Sequence, residues 1–416
     1  MSVFGLTILI ALLIGFLADT LVVLVDLRAT PARPPEKVSG FIDDAVWEKS
    51  MAYARAKAWL DIVASGSKLV ALLLWWFLGG FAWLDRMVAS WKLGEIASGV
   101  LYVAILLVAF KLFSQPFKIY HTFVLEARFG FNRTSWNTFI DDRAKGLLLS
   151  LVIGGPLLVT VLVCFHYWKA WAWLYCWLIA TFFLILIQYI APAVLMPLFN
   201  RYTPLPEGSL KRAIEACLEK AGVKFSGIFT VDGSRRSTRA NAFVTGLGAQ
   251  RRVVLYDTLL LRQPEPEVVA VLAHEIGHLV LDHLRRVTLI TIPYLGLMCG
   301  LLSLAMQQPD LHRDFFMERV TLHGGFVFFV LLAVPVDVIT GPFFKRISRA
   351  HELAADRFAA TTLERPEALA SALKQLAVAN LTQVNPHPWR VFLHHAHPAI
   401  LTRIAAIEAL QDPEKG

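Results

Sequence analysis

Seven long apolar runs, separated by polar and charged stretches, set the pattern of this chain. They fall at about 4–25, 62–84, 95–113, 147–165, 170–190, 287–306 and 323–342. A helix needs about 20 apolar residues to cross the hydrocarbon core of a bilayer. The runs therefore predict seven transmembrane helices. Asp26-Leu27-Arg28 closes the first run with no small-residue cleavage site after it, so that run is expected to stay as a span rather than leave as a signal peptide. Between the fifth and sixth runs the period changes. GIFTVDG (227–233), ANAFVTG (240–246) and RRVVLYD (251–257) are short and rich in β-branched residues, with LGAQ (247–250) as a turn. They predict a small antiparallel hairpin ahead of a helix.

That helix breaks its own apolar pattern. VVAVLAHEIGHLVL (268–281) carries His274, Glu275 and His278 in an otherwise oily stretch. Residues four apart share a helix face, so the two imidazoles can reach one ion, with Glu275 beside them to polarise a water. This is the spacing of zinc peptidases: two histidine ligands and a glutamate general base. A catalytic zinc takes a third protein ligand. SRAHELAADRFAA (348–360) offers Glu352 and Asp356, again four apart. Phe315, in the connection between the last two apolar runs, is 37 residues from His278 (315 − 278) and 37 from Glu352 (352 − 315). Equal outward and return paths along antiparallel helices bring Glu352 to the height of HEIGH. Pro293, Pro335 and Pro342 are candidate kinks that loosen this match.

Roles follow from the chemistry. His274, His278 and Glu352 would bind one Zn2+, Glu275 would act as base, and Asp356 would take a hydrogen bond from the far nitrogen of a ligating histidine. His283, five beyond His278, is expected off the ligand face. His121, His166, His312 and His323 fall at loop or span ends, where solvation accounts for them. The crowded segment HHAHPAILTRI (394–404) places His397 and Arg403 as candidate oxyanion donors. Asn241 could bond the backbone of a peptide laid along the hairpin edge, as metalloproteases hold substrate. For Asn241, and for His397 and Arg403, ordinary structural roles weigh about equally.

Composition supports the membrane reading: 56% of residues are hydrophobic and 17% charged, too apolar for a soluble chain of this length. The formal net charge of +8 follows the positive-inside bias and does not point to nucleic acid. The first and third connections are rich in Lys and Arg, and their alternates are poor. The N-terminus is thus expected outside, and residues 191–286 and 343–416 in the cytoplasm. Expected divisions are 1–190 (five spans), 191–286 (hairpin and HEIGH), 287–342 (two spans) and 343–416 (third ligand). The four cysteines form no C-x-x-C and read as packing residues.

Several motifs in one order carry a resemblance: HTFVLEARFGFNRTSWNTFIDD (121–142), PLFNRYTPLPEGSL (197–210), VDGSRRSTRANAFVTG (231–246), RRVVLYDTLL (251–260), HEIGH, SRAHELAAD (348–356) and HPAILTR (397–403). The chain resembles the type 1 CAAX prenyl proteases, integral-membrane zinc metalloproteases of the gluzincin group. The resemblance implies zinc held by His274, His278 and Glu352, with Glu275 catalytic. It implies Asp356 in the ExxxD motif, Asn241 against substrate, and His397 and Arg403 lining the site. It further implies a mainly α, polytopic fold: seven helices form a barrel around a water-filled chamber, which Asp337 would face, with a small cytoplasmic zincin-like α+β part. The expected activity is endopeptidase cleavage near the C-terminus of peptide or protein substrates, prenylated CAAX chains among them. The alternative is a membrane quality-control factor that handles misfolded or jammed chains. The chain's length and lack of a retrieval tail point to a bacterial homologue.

Overall fold

The apolar runs become helices whose greasy faces point outward. In this computed structural model, which describes residues 1–246 and 251–410, five helical runs are long and apolar enough to cross a membrane: Val3–Ala29, Asp44–Phe77, Glu95–Glu126, Trp136–Phe199 and His283–Met306. A bent pair, Leu322–Leu332 and Val334–Leu363, turns by 47° and makes a sixth if counted as one span. Only 6–22% of each single run's most apolar window is buried inside the protein. Such surface suits lipid, where every backbone group must be satisfied within the helix. The LGAQ turn lies outside the described residues.

The boundaries differ from expectation for local reasons. The second run was expected at 62–84, but its helix starts at Asp44 and ends at Phe77. Gly79 then takes φ +73, and a separate helix, Gly80–Ser90, follows. The left-handed turn needs a glycine, and hydropathy does not register it. Trp136–Phe199 is interrupted by a 3₁₀ turn at Lys169–Trp171, and the helices on either side, Gly155–Trp168 and Ala172–Ile190, pack on each other. These correspond to the fourth and fifth apolar segments. The last apolar segment does not stop at 342. Val334–Leu363 is one helix with Pro342 inside it, so the membrane helix itself carries Glu352 towards HEIGH. The sharp bend lies beside Pro335, while Pro293 sits within an unbroken helix.

The far end of the helices is plugged by aromatic rings. Phe315 stacks on Trp76 (4.3 Å between centroids) and on Phe328 (3.9 Å). His283–Met306 separates this plug from HEIGH by about 36 Å at 1.5 Å per residue. His312 and His323, expected in solvated loop ends, are buried here. His323 bonds Asp85 at 2.8 Å, and His312 bonds the backbone of Gln308 and Thr321. Short polar partners across the loops, invisible to local sequence, draw them in.

The β-rich stretch is more than a hairpin. Four strands, β1 (Tyr202–Pro204), β2 (Gly227–Val231), β3 (Ala242–Thr245) and β4 (Arg252–Tyr256), form a sheet in the order β1-β2-β4-β3. The expected antiparallel pair is β3 with β4, whereas β2 runs parallel to β4. GIFTVDG is therefore not an arm of the hairpin. β1 was missed because three residues carry almost no periodic signal. One sheet face and the HEIGH helix share a core of Ile214, Leu218, Val253, Leu255, Leu272 and Ile276, all 4% exposed or less.

Candidate active site

Two helices meet at HEIGH. The first, Glu265–Val280, enters with Pro at its second position and Glu265 and Glu267 in its first turn, both favourable at a helix N-terminus. The second is Val334–Leu363. Gly277 lets them touch. A Cβ at Gly277 would lie 3.2 Å from the Ala355 Cα and carbonyl oxygen and 3.0 Å from Phe358. Gly277→Ala gains about 1 kcal/mol of helix propensity, but overpacking costs about 1–3 kcal/mol, and the Ala355 backbone cannot rotate aside. We expect a net loss of about 1 kcal/mol, read as a lower Tm in detergent; an unchanged or higher Tm would show that the contact is not tight.

The close approach brings the donor atoms together. His274 Nε2 is 3.2 Å from His278 Nε2. Glu352 Oε2 is 3.5 Å from His274 Nε2, and Oε1 is 3.4 Å from His278 Nε2. Each of the three residues offers a ligand atom, all within 4.8 Å of one another. Glu352 is 6% exposed, and its Oε2 is buried without a hydrogen-bond partner. A buried carboxylate with one oxygen facing each imidazole, and Oε2 without a hydrogen bond, suits a cation, and a His-His-Glu set suits zinc.

The remaining charges are fixed around this centre. Asp356 Oδ1 lies 2.8 Å from His274 Nδ1, on the ring edge away from the other ligands. Arg403, on the helix Ile400–Glu408, donates from Nε (2.8 Å) and Nη2 (2.6 Å) to the two oxygens of Asp356. Its Nη1 lies 3.5 Å from Glu352. Burial pulls the His274 pKa down, but the Asp356 and Glu352 carboxylates outweigh it and carry it up to about 9. Glu275 is half-buried, and that burial pushes its carboxyl upward against the pull of both histidines. Among the described residues no side chain bonds the Glu275 carboxylate.

The candidate list is therefore partly rearranged. His274, His278, Glu352 and Asp356 stand together, with Glu275 next to His274 on the same helix. His397 reaches in from the open side, with Nε2 3.4 Å from Glu352 Oε1 and a side chain that is 67% exposed. Arg403 also borders the cluster, with Nη1 3.5 Å from Glu352 Oε2, but it is 8% exposed and its Nε and Nη2 are held by Asp356. Asn241 is exposed just before β3, and its Oδ1 accepts from Ala242 N at 3.0 Å. β3 packs on the HEIGH helix, and among the described residues its outer edge has no partner strand.

His283, expected off the ligand face, stays outside the three-residue cluster but stands directly behind it. Its Nδ1 lies 2.9 Å from His278 Nδ1, and its ring stacks on His351 at 4.0 Å and 7°. The HEIGH helix ends at Val280, and Asp282 adopts φ +55 before the next helix begins. That left-handed residue turns the chain back, so helical spacing no longer applies. Aspartate tolerates this conformation better than most residues, which is the only local hint in the sequence.

Comparison with known proteins agrees with this geometry. Residues 25–201 match the CAAX prenyl protease N-terminal model with its five membrane helices, and residues 204–411 match peptidase family M48. The chain is 31% identical to the CAAX prenyl protease 1 homolog of Oryza sativa subsp. japonica, covering 90% of each chain. It is 30% identical to CAAX prenyl protease 1 of Saccharomyces cerevisiae, covering 93% of this chain and 91% of that one. The crystal structure of S. mikatae Ste24p superposes with a TM-score of 0.93 at 29% identity, over 98% of this chain and 100% of that chain. With apolar helices, a buried His-His-Glu cluster and these matches together, the chain belongs to peptidase family M48 and is a multi-pass membrane metalloprotease of the CAAX prenyl protease type.

Proposed function

We propose that this protein is a zinc-dependent membrane endopeptidase that cuts peptide bonds near the C-terminus of its substrates, prenylated CAAX-type chains among them. The observation that carries the reading is the convergence of His274, His278 and Glu352 beside an unpaired Glu275. His274, His278 and Glu352 hold the zinc, which when bound supplies a Lewis acid that acidifies water and polarises the scissile carbonyl. Glu275 accepts the proton of the attacking water and returns it to the leaving amine. His397, exposed and facing the site, donates to the oxyanion. Arg403 acts through Asp356, which keeps the proton of His274 on Nδ1 and its Nε2 lone pair towards the metal. The substrate backbone lies along the free edge of β3 as an added strand, with Asn241 bonding it.

The architecture in this reading is a barrel of seven spans around a water-filled chamber. The seventh is the bent pair, and the fourth and fifth are the two halves of Trp136–Phe199. Asp337 accepts from Tyr294 at 3.1 Å, a polar pair that suits a wet interior better than lipid. Residues 191–286 and 343–416 form the cytoplasmic protease part, as the basic first and third connections suggest. One experiment tests side and substrate together. A membrane-impermeant peptide ending in a farnesylated CAAX sequence, or its unmodified twin, is added to vesicles of either orientation. Cleavage only in inside-out vesicles, at a bond near the C-terminus by product mass, is expected. Cleavage only in right-side-out vesicles would reverse the orientation. Cleavage of neither peptide by zinc-loaded protein would refute this substrate class and favour a chain-handling role.

A further inference from the structure

The two histidine ligands of the proposed zinc site are supported differently. His274 has a carboxylate behind it, Asp356, itself clamped by Arg403. Among the described residues, His278 has an imidazole behind it instead, that of His283. We propose that His283 is a positioning residue for the metal site: its Nδ1 accepts the Nδ1 proton of His278 and so aims the His278 Nε2 lone pair at the metal position, while His351 holds the His283 ring by stacking. The inference rests on the ligand set proposed above.

Proton counting supports this arrangement. A neutral imidazole carries one N–H and one lone pair. His278 Nε2 faces His274 Nε2 at 3.2 Å and Glu352 at 3.4 Å, so Nε2 must offer its lone pair to bind a cation. The proton then sits on Nδ1, and the atom 2.9 Å away, His283 Nδ1, must be the acceptor. That places the His283 proton on Nε2. The acceptor is well fixed: His283 is 5% exposed, and its ring lies flat on His351 at 4.0 Å. His351 precedes the third ligand, Glu352, on the same helix, so the helix that supplies one ligand also props the residue behind another. A partner behind a metal-bound histidine sets ring orientation and tautomer, and its loss typically costs about 10–100-fold in metal affinity.

The test reads zinc rather than cleavage. Full-length protein in detergent is titrated with zinc against a competing chelator of known affinity. The set comprises wild type, His283→Leu, His283→Asn, His351→Phe, His351→Ala and His278→Ala. Leucine keeps the bulk but removes the acceptor, and about a 10–100-fold loss is expected. Asparagine places a carbonyl oxygen near the Nδ1 position and should restore much of that loss, which general loosening of the fold would not allow. His351→Phe keeps a ring to stack on and should bind as wild type; His351→Ala should fall between wild type and His283→Leu. Wild-type affinity in His283→Leu would overturn the proposal, as would equal losses in His283→Leu and His283→Asn. Equal losses in the two His351 variants would overturn the stacking support. His278→Ala separates the two levels: wild-type affinity there refutes the ligand set itself, whereas a loss there with none in His283→Leu refutes only the positioning role.

Discussion

Glu275→Gln is expected to lower kcat for peptide cleavage by about 10²–10⁴-fold while zinc content stays at the wild-type level. Glu275 lies between the two histidines in sequence but offers no atom to the three-residue cluster. Its carboxylate is half-buried and free of side-chain bonds among the described residues. Glutamine has nearly the same shape, so local packing changes little, while the negative charge beside His274 and His278 is lost. The ability to accept a proton goes with that charge, and zinc per chain reads whether the charge matters to the metal site. Such a loss falls on kcat and leaves substrate binding, read as KM, nearly unchanged. The measurement is steady-state cleavage of a quenched peptide by wild type and variant, with zinc per chain determined on the same samples. Cleavage by Glu275→Gln at the wild-type rate would reject the base assignment. Loss of zinc along with activity would instead make Glu275 a determinant of metal binding.

What could be read in advance, and what could not, divides along a physical line. The apolar runs announced membrane helices because lipid demands about 20 consecutive apolar residues, a local signal. HEIGH announced a metal because four-residue spacing on a helix is also local. Glu352 was reachable because the chain spends equal residue counts, 37 each way (315 − 278 and 352 − 315), going out to Phe315 and back. The features that escaped depend on where the backbone leaves regular structure or on partners far away in sequence. Asp282, at φ +55, ends helical counting and returns His283 to His278. Arg403 looked like an oxyanion donor from its place six residues after His397. Two of its three nitrogens bond Asp356, 47 residues away, as suits an arginine buried next to a carboxylate. The parallel pairing of β2 with β4 has no signature in either strand. Gly277 was visible inside HEIGH, but its reason, the Ala355 backbone of the facing helix, was not.

Glu352→Gln should cost more zinc affinity than any substitution behind the ligands, exceeding the roughly 10–100-fold typical of an outer partner. The site would keep two imidazoles and gain an amide, a poor ligand for zinc beside a carboxylate. The fold should survive the change. Arg403 keeps both bonds to Asp356, and Asp356 keeps its contact with His274, so no buried charge loses its only partner. This separates metal loss from unfolding. Wild-type protein should lose Tm when zinc is stripped, because an ion that binds only the native state stabilises it by mass action. Glu352→Gln should show a Tm that chelator no longer moves, with less than one zinc per chain. Glu352→Asp should behave similarly: it keeps the charge, but its shorter arm pulls the carboxylate back from nitrogens now 3.4 and 3.5 Å away. One tightly held zinc per chain in Glu352→Gln, with a chelator-sensitive Tm, would remove Glu352 from the ligand set. Its buried Oε2, which has no hydrogen-bond partner, would then be balanced by Arg403 Nη1, 3.5 Å away.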